Sequence, residues 1–101
     1  MNVYVVCWGF ASSGDCGKPA VSTSVYGVYG SKRQAQDGLS SCMNNFYNEI
    51  VNHPDYTPVN NFGTSNLSVF GSVQDGYFKL SYVLAGTPYE IRIDLEEKEI
   101  I

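Results

Sequence analysis

The chain has 101 residues, 44% hydrophobic, 14% aromatic and 16% charged, with a formal net charge of −4. A chain of this length builds one domain around one modest core, which excludes an enzyme with separate cofactor and substrate domains. The apolar content excludes intrinsic disorder, and the acidic balance argues against direct nucleic-acid binding, whose footprint is basic.

Residues 2–10, NVYVVCWGF, are β-branched and aromatic and apolar on both alternating faces, the pattern of a buried central strand. Residues 11–20 follow with Ser12, Ser13, Gly14, Gly17 and Pro19, a density of breakers that predicts a loop. The strand pattern resumes over residues 21–30, around Val25-Tyr26-Gly27-Val28-Tyr29, so the first two strands are expected to form a hairpin. Ser31-Lys32-Arg33-Gln34 is a capping-box sequence, in which the Ser31 hydroxyl accepts from the backbone N–H three residues on. From there Ala35, Leu39, Cys42, Met43, Phe46, Tyr47, Ile50 and Val51 form one apolar stripe, predicting an amphipathic helix of about 20 residues. Pro54 forbids its continuation. Gly38 inside the helix costs on the order of 1 kcal/mol relative to Ala. Leu39, Phe46 and Ile50 are expected to lie against the sheet, and Phe46→Ala to cost about 3–5 kcal/mol if its ring is fully buried.

Residues 53–65, HPDYTPVNNFGTS, predict a long irregular connection, with Tyr56 and Phe62 expected to pin it to the body. A three-strand meander then runs through residues 67–73, 77–84 and 89–96. Asp75-Gly76 is expected to form a two-residue primed turn, and residues 85–88 the second turn. On the last strand Ile91, Ile93 and Leu95 alternate with Glu90, Arg92, Asp94 and Glu96, one face for the core and one for water. The predicted fold is α+β, β-β-α-β-β-β, with a five-stranded antiparallel sheet and one amphipathic helix packed on one face, in a single domain spanning residues 1–101.

Cys7, Cys16 and Cys42 are odd in number and match neither a paired-thiol motif nor a zinc pattern, so free thiols in a reducing cytoplasm are expected. The opening Met1-Asn2-Val3-Tyr4-Val5-Val6 has no cationic leader, and no apolar run approaches the roughly 20 residues of a membrane span. A cytoplasmic protein with no membrane partner is the expectation. Asn66-Leu67-Ser68 matches a glycosylation acceptor, which carries no weight without a secretory route. Gly14-Asp15-Cys16-Gly17-Lys18-Pro19 resembles the nucleophile segment of chymotrypsin-like cysteine proteases. Those enzymes place a histidine well upstream of the nucleophile, whereas the one histidine here, His53, follows it. Cys16 with His53 leaves open a smaller thiol-dependent enzyme. Gly17-Lys18 lacks the hydroxyl residue and upstream glycine of a phosphate loop. Eight tyrosines, five phenylalanines and Trp8 would stack bases only in a basic groove, and six basic residues do not make one. No cofactor and no metal is expected.

The acidity is concentrated at one end. Residues 90–101 hold Glu90, Asp94, Glu96, Glu97 and Glu99 against Arg92 and Lys98, a net of −3, leaving −1 for the rest. Carboxylates spaced along a strand offer an electronegative face that steers a basic partner. The expected partner surface is therefore Tyr89, Glu90, Asp94 and Glu96, with Glu97 and Glu99 extending the field past the strand end.

The opening strand VYVVCWGF and the strand-to-helix segment VYGVYGSKRQAQ resemble those of small single-domain proteins encoded by phages and mobile elements of Gram-positive bacteria. A small, acidic, tyrosine-rich domain without catalytic residues is also similar to the anti-CRISPR inhibitors, several of which bind the DNA-reading clefts of RNA-guided nucleases. The charge of −4 is mild beside the strongly acidic DNA mimics of that class. The resemblance implies a non-enzymatic inhibitor that blocks a type II CRISPR effector nuclease, possessing an acidic strand face suited to its positively charged channel. Two alternatives stand beside it: the Cys16/His53 thiol enzyme, and a protein that sequesters a small ligand between the 11–20 and 53–65 loops.

Overall fold

The computed structural model describes residues 2–11 and 23–100. Five strands and one helix appear in the expected order: β1 (Asn2–Ala11), β2 (Thr23–Tyr29), α1 (Lys32–Val51), β3 (Leu67–Ser72), β4 (Tyr77–Leu84) and β5 (Thr87–Glu99). They form one antiparallel sheet in the order β2-β1-β5-β4-β3, with α1 across one face, an α+β fold. β1 is interior, as its two apolar faces require, but the middle of the sheet is β5. That strand pairs with β1 from Asn2↔Glu99 to Ala11↔Glu90 and with β4 from Tyr77↔Asp94 to Leu84↔Thr87.

The helix starts where its cap dictates, with the Ser31 hydroxyl accepting from the Gln34 N–H at 3.2 Å. It closes at Asn52, whose side chain donates to the Asn48 carbonyl at 2.8 Å, two residues before Pro54. Leu39, Cys42 and Ile50 meet Val6, Phe78, Leu80, Tyr82, Ile91 and Ile93 from the sheet, forming one core. Phe46 packs against this core as expected, half-buried, with its ring edge-on to Trp8 of β1 at 4.9 Å. Gly38 is buried against the Tyr29 ring, and any Cβ there would collide with that ring. The glycine that weakens the helix lets α1 and β2 approach.

The two hairpin turns exchange the roles expected of them. Asp75-Gly76 is the end of a four-residue connection between Ser72 and Tyr77, with Gly76 at φ 78° and the Asp75 N–H held by Ser72 Oγ at 3.1 Å. The two-residue turn is Ala85-Gly86, closed by the Leu84↔Thr87 pair, with φ of 49° and 81°. A type I′ turn needs positive φ at both central residues, and alanine reaches that region at a cost of about 1 kcal/mol. Ala85→Asn is accordingly expected to raise stability by about 0.5–1 kcal/mol, read as a higher urea midpoint at unchanged slope. A lower midpoint would show that the turn tolerates alanine without strain.

The 53–65 connection is tied down by Asn66, which is only 8% exposed. Its side-chain amide donates to the Thr57 carbonyl at 2.9 Å and to Thr57 Oγ1 at 3.1 Å. Its backbone N–H donates to the Pro58 carbonyl at 3.0 Å, and its carbonyl accepts from the Val83 N–H at 3.0 Å. The Asn66 side chain is thus committed inside the fold.

Candidate functional site

The six residues expected to share one acidic surface are split between the two faces of β5. By strand alternation Glu90, Asp94 and Glu96 project from the face opposite the helix, whereas Tyr89, Glu97 and Glu99 share the side of Ile91 and Ile93. Tyr89 stacks on Tyr82 across the β4–β5 pair, centroids 5.5 Å apart. Glu97 lies within the strand, which runs on to Glu99, and accepts from the Asn2 amide at 2.9 Å. It also holds the Tyr4 hydroxyl, and that hydrogen bond, with lesser contributions from burial and the Glu97 charge, raises the Tyr4 pKa.

The open face is not electronegative. Lys79 pairs with Glu90 at 3.0 Å, Arg92 Nε with Asp94 at 3.0 Å, and Lys98 with Glu96 at 3.6 Å, so every acid of the set has a cation beside it. The cations are also held from the other side, with Arg92 4.8 Å from the Tyr77 ring centroid and Lys79 5.1 Å from that of Phe70. Exposed pairs of this kind contribute about 0–1 kcal/mol each. Their larger effect is on the field, which they cancel. Strand β5 read alone shows three acids with Arg92 and Lys98 on this face; the third cation, Lys79, comes from β4, and only the cross-strand register brings it to Glu90. The charged stems also shield Val5 and Cys7, which lie on this uncovered face yet are buried.

The more distinctive feature is the tip of the 53–65 connection. Asn60 Oδ1 accepts from the Phe62 N–H at 2.8 Å and the Thr64 N–H at 3.0 Å, a side chain imitating a backbone turn. The Asn60 N–H donates to the Thr64 carbonyl at 2.9 Å, Gly63 supplies a φ of 76°, and a Val59↔Ser65 bridge closes the base. The turn aims Phe62 outward, 92% exposed, beside Val59 at 55%. Phe62 therefore does not pin the connection to the body. Tyr56 does, packing against the core, helped by Asn66 and by the Ala85 N–H to the Asp55 carbonyl at 3.3 Å. The asparagines that read as loop composition are the brace of this tip.

Of the expected thiol pair, Cys16 lies outside the described residues, as do residues 12–20 of the loop expected to line a ligand site. His53 is exposed just beyond α1, with Nδ1 accepting from the Asp55 N–H at 3.0 Å. The two described cysteines are buried and free. Burial is the main cause raising the Cys7 pKa, with Glu96 and Asp94 adding and Lys98 opposing; burial alone pushes Cys42 up to about 12. Such thiols are poor nucleophiles at neutral pH. No group of three His, Cys, Asp or Glu is placed to hold a metal among the described residues, and no described helix is long and apolar enough to cross a membrane.

No family model, no curated protein and no solved structure matches this chain. The site rests on its own geometry.

The buried Cys42 thiol carries a pH dependence. Folded, it stays neutral to about 12, whereas unfolded it ionises from its ordinary value of 9.0. The unfolded chain loses the proton first, so stability is full below pH 9.0 and falls as pH rises toward 12, by at most about 1.4 kcal/mol per unit. In Cys42→Ala this loss is absent; the raised Tyr82 acts equally in both proteins, and Tyr29, raised chiefly by burial, loses only the smallest of its causes, the Cys42 charge. The stability gap between wild type and variant should narrow between pH 8 and pH 10 in urea melts; a constant gap would contradict it.

Proposed function

We propose that this chain is a protein-binding domain that acts by covering a partner's surface, and that the partner is a type II RNA-guided nuclease. The observation that carries the binding reading is Phe62, an aromatic ring held out in water by a braced turn. Leaving a phenylalanine exposed forgoes about 1.5–3 kcal/mol of burial, and aromatic residues are enriched where proteins meet. A rigid support removes much of the ordering cost that a flexible loop would bring to binding. The partner class follows from the resemblance of residues 3–10 and 24–40 to phage-encoded proteins and of the whole chain to nuclease inhibitors. The neutral ladder on the open face favours contact through shape and apolar burial over imitation of DNA charge.

The test is a cleavage assay in which the purified chain is added to a guide-loaded type II nuclease before its matched duplex. The reading predicts loss of cleavage at a one-to-one ratio and co-elution of the two proteins on a sizing column. Phe62→Ser should weaken the effect about ten- to hundredfold, the equivalent of losing one buried phenylalanine, with an unchanged melting temperature. Full cleavage without co-elution would remove this nuclease class as the partner.

A further inference from the structure

We propose that the trench between β2 and α1 receives an extended, lysine-bearing peptide, which adds to β2 as a sixth strand. β2 pairs with β1 alone, so among the described residues its outer row of N–H and C=O groups has no strand partner. Natural edge strands are usually guarded by charge or proline. Thr23–Tyr29 contains neither. Its irregularity serves the trench: Val6 pairs with Gly27 and Cys7 with Val25, leaving Tyr26 as the extra residue. The Tyr26 hydroxyl accepts from the Asn45 amide on α1 at 2.9 Å.

Two open grooves of ≈ 490 and ≈ 420 Å³ meet at Tyr26, the first lined by β2 as far as Tyr29 and the second bounded by α1 from Asn45 to Glu49. Gly38 and Ser41 leave the first one open, and Asn45 borders the second. Asp37 stands at one cavity and Glu49 at the other, and neither is ion-paired with any described residue. Two copies of the chain joined through β2 would bring these carboxylates together, so charge selects a cationic strand over a second copy. Twelve residues of helix separate Asp37 from Glu49, about 18 Å at 1.5 Å per residue. A strand rising about 3.4 Å per residue covers that in five to six residues, and only an even spacing keeps both side chains on one face. Two lysines six positions apart match the two carboxylates.

The proposal rests on the chain being a protein-binding domain, but not on Phe62 or on the nuclease. Its test titrates the isotope-labelled full chain with an alternating valine–threonine decapeptide carrying two lysines six positions apart. The same peptide with glutamates is the control. Backbone amide shifts confined to residues 23–30 and 34–49 are expected, with the lysine peptide binding about tenfold tighter or more. Asp37→Lys/Glu49→Lys should invert that preference, and Ser41→Trp should fill the trench and abolish binding at an unchanged melting temperature. Phe62→Ser should bind the peptide as wild type does, which separates this result from the nuclease assay. Equal affinity for the two peptides, shifts mapping elsewhere, or a wild-type dimer that the lysine peptide fails to dissociate would overturn the proposal.

Discussion

Leu39→Ala is expected to cost about 3–5 kcal/mol, the most of any single truncation on α1. Leu39 has no exposed surface and sits among Val6, Leu80, Ile91 and Ile93, all of them 2% exposed or less. Removing it subtracts burial and leaves a cavity that close-packed neighbours refill only in part. Against a total stability of about 5–15 kcal/mol the loss is severe, and the melting temperature should fall by more than about 10 °C. Phe46→Ala offers the internal comparison. Its ring is half-buried against Trp8, so it should cost less, about 1–3 kcal/mol, although phenylalanine is the larger residue. If Phe46→Ala proves the costlier change, the centre of the core lies nearer β1 than the buried set indicates.

Asn66→Ala carries the second large effect, and it reaches the tip that bears Phe62. The change leaves the Thr57 carbonyl and hydroxyl without the donor they now share, although Thr57 itself is exposed and water can replace part of what is lost. A hydrogen bond of this kind is worth about 0.5–1.5 kcal/mol net, and the amide makes two. The larger consequence is local, because the Asn66 side chain is what ties Thr57 across the base of the turn region, while its backbone bonds to Pro58 and Val83 persist in the variant. Hydrogen exchange at the Phe62 and Thr64 amides should accelerate more than at amides in β1 or β5. Partner binding should weaken even though Phe62 itself is intact. An unchanged exchange pattern would mean that the Asn60 turn holds its shape without the clamp.

The helix was legible because its signals are local: Ser31 caps it, its apolar residues recur at the helical period, and Pro54 bars it. The alternation of Ile91, Ile93 and Leu95 likewise placed the inner face of β5. What escaped were features set by partners distant in sequence. Lys79 neutralises Glu90 only because β4 and β5 pair in one register, and no composition of residues 90–99 discloses that. Glu97 and Glu99 lie within β5, on the side of Ile91 and Ile93, and not past its end, because the strand continues to Glu99. Phe62 was assigned to packing from its apolarity alone. The sign that it points outward was there in Asn60, two residues before it and three before Gly63, the arrangement of a side-chain-braced turn. Ala85-Gly86 was hidden for a different reason, since alanine is not a residue that announces positive φ.

We propose that binding runs through the braced aromatic tip and not through the charged strand face. Association and dissociation rates against a guide-loaded type II nuclease test it directly, for wild type, Phe62→Ser and Asp94→Lys/Glu96→Lys, each at low and high salt. The account predicts that Phe62→Ser dissociates about ten- to hundredfold faster, as the loss of one buried ring requires. Charge reversal and salt should leave association within about threefold of wild type, because the ladder projects little net field. A Phe62→Ser protein that binds as wild type, beside a charge-reversed protein whose association collapses, would contradict it and return the binding surface to β5.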